Sequence, residues 1–167
     1  MRRIGFYLFL YYLFASLTST EFAFFTVAAY FIIKYGRKIH HRVRRYKLVR
    51  NQEAMTLADF YQSRDLLQKQ YSKRASNDFE GVYVFQNKRN RRHYVGQSVN
   101  VLHRVHTHIQ GRGNGDLHTD LTQGDPFTVK IFPLNQSGYT TLNDFERELI
   151  GVHHAYSHGY NRTRGNR

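Results

Sequence analysis

The sequence predicts a small α+β domain, a three-stranded antiparallel sheet flanked by helices, preceded by an N-terminal transmembrane helix and a basic helical stalk. Three observations predict it. Residues 4–33 form an apolar run, residues 34–50 are strongly basic, and beyond residue 78 the apolar pattern changes from helical spacing to strand alternation. The expected divisions are a membrane anchor over 1–36, a basic helical linker over 37–75 and a folded domain over 76–167.

The apolar run IGFYLFLYYLFASLTSTEFAFFTVAAYFII holds one acidic residue, Glu21, and no basic one. A polar hexad, residues 16–21, splits it into two pieces of twelve residues, and a bilayer span needs about 20. Three readings stay open. One is a single tilted helix with Glu21 near an interface, since a carboxylate at the helix centre costs about 2.5–3.5 kcal/mol on insertion scales. The others are a shallow re-entrant hairpin turning at the hexad and a secretory signal peptide with Arg2 and Arg3 as its basic start.

The basic run that follows, from Lys34 to Arg50, carries eight Lys or Arg and no acid. Such a flank stops transfer and places the chain after it in the cytoplasm by the positive-inside rule. It also attracts anionic lipid, at about 1 kcal/mol per basic residue, and DNA phosphates. The expected location is therefore a single-pass membrane protein with its domain in the cytoplasm, with secretion as the alternative.

The whole chain points the same way. Its 25 Lys and Arg against 12 Asp and Glu give a net charge of +13, which favours a polyanionic partner. The absence of cysteine excludes disulfide scaffolds, thiol nucleophiles and cysteine zinc sites.

Apolar positions from Met55 to Tyr71 fall at helical spacing without Gly or Pro, predicting a helix over 51–74 and a domain boundary in the polar stretch 72–78. Residues 81–86 and 93–97 are short, rich in Val and Tyr, and joined by the polar loop 87–92: a β-hairpin. Val101, Val105 and Ile109 recur every four residues, predicting a helix over 100–110 capped by Ser98 or Asn100. A glycine-rich loop over 111–116, a third strand over 127–132 and a helix over 141–156 complete the domain.

Its chemistry-bearing residues have a fixed order: Gly81-Val82-Tyr83, ten residues, Tyr94-Val95-Gly96, then Arg104, His108, Glu146 within FERELI, and Asn161 after Gly159-Tyr160. This order and spacing resembles the GIY-YIG nuclease family over residues 79–165, about half of the chain. Hydrolysis of a phosphodiester needs an activated water, a cation or guanidinium against the charge of the transition state, and a means to steady the leaving oxygen. Arg104, on the helix after the hairpin, offers a guanidinium able to grip phosphate oxygens bidentately, and His108 one turn further shares its face. Glu146 offers a hard carboxylate oxygen suited to Mg²⁺ (or Mn²⁺).

The resemblance implies that Tyr83 and Tyr94 are the hairpin tyrosines that face the scissile phosphate and help to activate water. By the same likeness Arg104 stabilises the transition state, Glu146 is the metal ligand, Asn161 closes the site, and His108 stands where some members carry a histidine. Glu146 is preferred to Glu148 because Ile150 then follows it by four residues, as in the family's pattern.

Lys88, Arg89, Arg91 and Arg92 of the hairpin loop, Arg112, and Arg162 and Arg164 of the tail are the candidate DNA-phosphate contacts. The histidines at 103, 106 and 108, or at 153, 154 and 158, lack the second half that a zinc site requires. The expected function is thus a membrane-anchored, Mg²⁺-dependent DNA endonuclease acting on incoming phage or plasmid DNA. The alternatives are a non-catalytic membrane-tethered DNA-binding module and an exported nuclease released by signal cleavage.

Overall fold

The computed structural model describes residues 19–72 and 78–166. The chain divides into two compact units, the first ending at Lys47 and the second beginning at Leu48. Helix α1 (Ser19–Asn51) opens the described chain. Phe24, Phe25, Val27, Tyr30, Phe31, Ile32, Ile33 and Tyr35 are all exposed on it, so residues 24–33 present apolar side chains on every side of the helix. Even so, no helix among the described residues is long and apolar enough to cross a membrane. The apolar stretch of α1, residues 22–33, is twelve residues long and meets Lys34. At ~1.5 Å per residue that reaches about 18 Å, short of a hydrocarbon core of ~30 Å. The expected transmembrane helix over 4–33 is therefore not carried by α1, and residues 4–18 of it lie outside the described residues.

The second unit is built on one antiparallel sheet in the order β1-β4-β2-β3, comprising β1 (Met55–Thr56), β2 (Gly81–Asn87), β3 (His93–Ser98) and β4 (Phe127–Pro133). It has four strands where three were expected. Helical spacing had assigned Met55 to a helix over 51–74, but Thr56 and Asp59 form a capping box, each side chain accepting from the other's backbone N–H at 3.1 Å. That pair starts α2 (Leu57–Tyr71) and leaves Met55 and Thr56 to pair with Val129 and Thr128.

Between the strands lie α3 (Val101–Ile109), α4 (Gly115–Thr122), α5 (Leu134–Ser137) and α6 (Leu142–Val152). Helix α4 begins within the stretch read as a glycine loop, because the Asn114 side chain accepts from Leu117 N–H at 3.0 Å and caps a turn there. Helix α3 is capped from outside. Asp78 accepts from the N–H groups of Leu102 and His103 at 3.0 and 2.7 Å, in place of the expected Ser98 or Asn100. The expected linker boundary thus ends in a residue on which α3 depends.

Strand β2 is central and buried on both faces, and alternation sorts its residues between two cores. Tyr83 and Phe85 join Phe60, Val105, Leu117 and Tyr160 on the side of α2, α3 and α4. Val82 and Val84 join Phe132, Phe145 and Leu149 on the side of α6, where Leu48 and Val49 also pack.

At the turn end of the hairpin a buried polar network replaces apolar packing. Asn87, fully buried, donates from Nδ2 to Asp125 at 2.7 Å and to the Tyr160 hydroxyl at 2.9 Å, while its Oδ1 accepts from Arg89 N–H at 2.8 Å. The Tyr160 hydroxyl donates to Asp120 at 2.6 Å. Cutting Asn87 back leaves these buried acceptors unmatched, so Asn87→Ala is expected to cost about 1–3 kcal/mol, read as a lower urea midpoint with an unchanged slope.

Candidate active site

The register of the hairpin sets one close approach. Tyr83 on β2 lies directly opposite Gly96 on β3, and a Cβ on Gly96 would collide with the Tyr83 hydroxyl and lie 2.6 Å from its Cζ. The absent side chain lets the Tyr83 ring cross the edge strand. Tyr94 lies two residues before Gly96, with ring centroids of the two tyrosines 6.2 Å apart. The Tyr83 hydroxyl lies within the electrostatic reach of both Tyr94 and Arg104. Arg104, on α3, is exposed where the tyrosine pair is not.

From the opposite side of the sheet comes Glu146 of α6, 8 % exposed. Its Oε2 accepts from Gln97 Nε2 at 3.1 Å and from Asn166 N–H at 3.4 Å. Helices on two faces of the sheet therefore meet around the edge of β3. A cavity of about 370 Å³ opens between them, lined by Tyr83, Tyr94, Gln97, Arg104, Glu146 and Asn161. Glu148, two residues further along α6, is not part of the lining.

The electrostatics follow from that burial. Desolvation pushes the Tyr83 hydroxyl well above the usual phenol range, with Tyr94 adding to the effect and Arg104 offsetting it. Tyr94 is raised for the same first reason, again opposed by Arg104. Both tyrosines are neutral hydroxyls at physiological pH. Burial also raises the Glu146 carboxyl, which hydrogen bonds from Asn166 and Gln97 pull back down.

His108 does not line the cavity. It is 1 % exposed, packed against Tyr83, Tyr94 and Phe85 at ring-centroid distances of 5.6, 4.9 and 6.0 Å. Neither ring nitrogen has a hydrogen-bond partner, and Gly113 seats against the ring, where a Cβ would collide with it. Burial, then the Arg104 charge, pull its pKa down to about 4. The histidine expected on the catalytic face stands behind the tyrosines and supports them.

Asn161 lines the cavity, yet its amide is spent on the free edge of β3. Val95 N–H donates to its Oδ1 and its Nδ2 donates to the Val95 carbonyl, both at 2.8 Å. The chain reaches that edge because Gly159 packs so closely on the carbonyls of His93 and Ala155 that no Cβ fits.

Several of the basic residues expected to hold phosphate have partners within the fold. Arg89 is paired with Asp125 at 2.7 Å and Arg162 with Asp116 at 3.6 Å. Arg92 lies 4.2 Å over the Tyr160 ring and donates to the Gly159 carbonyl at 3.1 Å. Arg164 lies over Tyr156, and Lys88 donates to Gln86 at 3.4 Å. Arg91 and Arg112 are exposed. Of these seven only Arg162 lines the cavity, together with Gly113, Asn114 and Gly115 of the glycine-rich stretch and Thr163, Gly165 and Asn166 of the tail.

Among the described residues there is no group of three or more His, Asp or Glu able to enclose a metal. The single carboxylate of Glu146 nevertheless fits a hard divalent cation, which is commonly held by one or two carboxylates with water and substrate phosphate completing the shell. Arg104 lines the same cavity.

Two outcomes follow from this geometry. Gly96→Ala forces Tyr83 off its position and should cost about 1–3 kcal/mol of stability, measured by thermal unfolding, and any hydrolysis the cleft performs should be lost with it. His108 gives a pH dependence of definite sign. Its folded pKa of about 4 lies below the ordinary 6.5, so its contribution is intact above pH 6.5 and is lost as pH falls towards 4, when only the unfolded imidazole takes a proton. The loss amounts to roughly 3 kcal/mol, and urea unfolding of His108→Leu at pH 7 and pH 4.5 should show a flatter dependence than the parent.

Comparison with known proteins finds no match among curated proteins or solved structures. Residues 79–161, which supply Tyr83, Tyr94, Arg104, Glu146 and Asn161, do match the family model of the GIY-YIG catalytic domain.

Proposed function

We propose that this protein is a divalent-metal-dependent DNA endonuclease, tethered to a membrane through its N-terminal segment and directed at DNA arriving through it. The match to the GIY-YIG catalytic domain implies nuclease-type hydrolysis of DNA phosphodiesters. The observation that carries the catalytic reading is the meeting of Tyr83, Tyr94, Arg104 and Glu146 in one open polar cleft.

The geometry supports the following roles. Arg104 is exposed and lines the cleft beside Tyr83, so its N–H groups can take the phosphate oxygens and oppose the charge that grows on them. Tyr83 and Tyr94, held neutral, offer hydroxyls that orient the attacking water and the phosphate rather than phenolates that attack. His108 is sealed from the cleft and takes no proton from that water. Glu146 would hold Mg²⁺ or Mn²⁺, which when bound neutralises charge on the leaving oxygen.

Support for the tether is the exposed apolar stretch of α1 over residues 24–33 together with the eight basic residues from Lys34 to Arg50. An apolar helix beside a polybasic flank binds anionic membranes by two additive terms. A nuclease held there meets DNA as it enters the cell, which is the basis for a role against phage or plasmid DNA.

The test is cleavage of plasmid and linear DNA by the full chain with Mg²⁺ or with chelator, beside Arg104→Ala and Glu146→Ala. Metal-dependent cutting reduced by about 100-fold or more in both variants is expected. Salt-sensitive binding without product, unchanged by the two substitutions, would replace the nuclease by a DNA-binding module. For the tether, the full chain should float with vesicles containing anionic lipid. For the role, cells carrying the parent should admit less foreign DNA than cells carrying Glu146→Ala.

A further inference from the structure

Gln97 follows Gly96 on the edge strand, and strand alternation turns it to the face opposite Tyr94 and Gly96. Its register partner is Val82, which belongs to the core against α6. On α6, Asn143 and Glu146 are three residues apart and so share one side of the helix. The amide of Gln97 bridges them: Nε2 donates to Asn143 Oδ1 at 2.7 Å and to Glu146 Oε2 at 3.1 Å. A primary amide has two N–H groups, and here each has an acceptor.

This bridge bears on a carboxylate at the end of a flexible side chain. Glu146 has three rotatable bonds, and its helix alone does not decide which oxygen faces the cleft. The amide occupies Oε2 from the strand side, and the Asn166 N–H approaches the same oxygen at 3.4 Å. Asn143 in turn holds the amide so that it cannot swing away from Glu146. Gln97 also lines the cleft itself, so the bridge reaches the place where substrate and cation would lie.

We infer that Gln97, clamped by Asn143, is the positioning residue for the Glu146 carboxylate, fixing its orientation for a divalent cation. The inference rests on the nuclease reading above and adds a residue to it. Outer partners of metal ligands act in this way, and their loss commonly lowers metal affinity or activity about 10–100-fold. Gln97→Leu keeps the bulk and removes both donors. Asn143→Ala keeps the donors and frees the amide.

The experiment uses the full chain and two readouts. The first is Mn²⁺ affinity without DNA, by electron paramagnetic resonance. The second is cleavage kinetics at saturating Mg²⁺, with kcat and KM for DNA determined separately. Gln97→Leu should weaken Mn²⁺ binding and lower kcat, each about 10-fold or more, with KM for DNA and the thermal midpoint near those of the parent. Asn143→Ala should move the same two quantities in the same direction by less, and the double variant should do no worse than Gln97→Leu, since both act through one bridge. A parent that cuts DNA while Gln97→Leu binds Mn²⁺ and cuts equally well would overturn the positioning role alone. A folded parent that neither binds Mn²⁺ nor cuts would overturn the nuclease reading, and this inference with it. Should Gln97→Leu fail to fold, Asn143→Ala decides: unchanged Mn²⁺ affinity and kcat there would equally sink the proposal.

Discussion

The cleft depends on one steric allowance, the missing side chain at Gly96. Tyr83 stands opposite that glycine in the hairpin register, and its ring passes over the edge strand because no Cβ lies in the way. Once Tyr83 is there, Tyr94 packs against its ring, Arg104 lines the same cleft, and His108 fills the space behind the two rings. Each contact presupposes the one before it. A slip of one residue in the hairpin would turn Tyr83 into the opposite core and dismantle the site.

A second constraint keeps the edge of β3 from being a liability. Edge strands carry unpaired backbone groups that invite another chain. Here the Asn161 amide pairs with both polar groups of Val95 as a further strand would. The segment carrying Asn161 is held by Tyr160, whose hydroxyl enters the network of Asn87 and Asp120 and whose N–H donates to the His93 carbonyl at 2.8 Å. The turn end of the hairpin and the wall of the cleft are therefore secured by one stretch of chain.

The chemistry of the cleft is an arrangement of charge more than of proton donors. Desolvation favours the neutral form of both tyrosines and of His108, so the charge-bearing side chains among the cleft residues described above are Arg104, Glu146 and Arg162. Burial works against the Glu146 carboxylate, and the donors from Gln97 and Asn166 work for it. In the proposed nuclease such a site would act by holding phosphate, water and a cation in place, with the protein dipoles already oriented.

Local rules made much of the architecture legible. Alternation and a polar turn announced the hairpin, four-residue apolar spacing announced α3, and the order of two tyrosines, an arginine, a glutamate and an asparagine pointed to one class of chemistry. All of these are periodicities or spacings along the chain, which short-range geometry sets. Long-range pairing was not legible in that way. The strand at Met55 exists because β4 is there to receive it, and Asp78 caps a helix that begins 23 residues later. The burial of His108 and the diversion of Arg89 and Arg92 into internal partners likewise depend on which neighbours arrive. Sequence alone determined which side chains were available to the cleft and the periods on which they recur. Only the tertiary structure decided which of them face it, because exposure, desolvation and hydrogen-bond partnership belong to the packed assembly of strands and helices and not to any one of them.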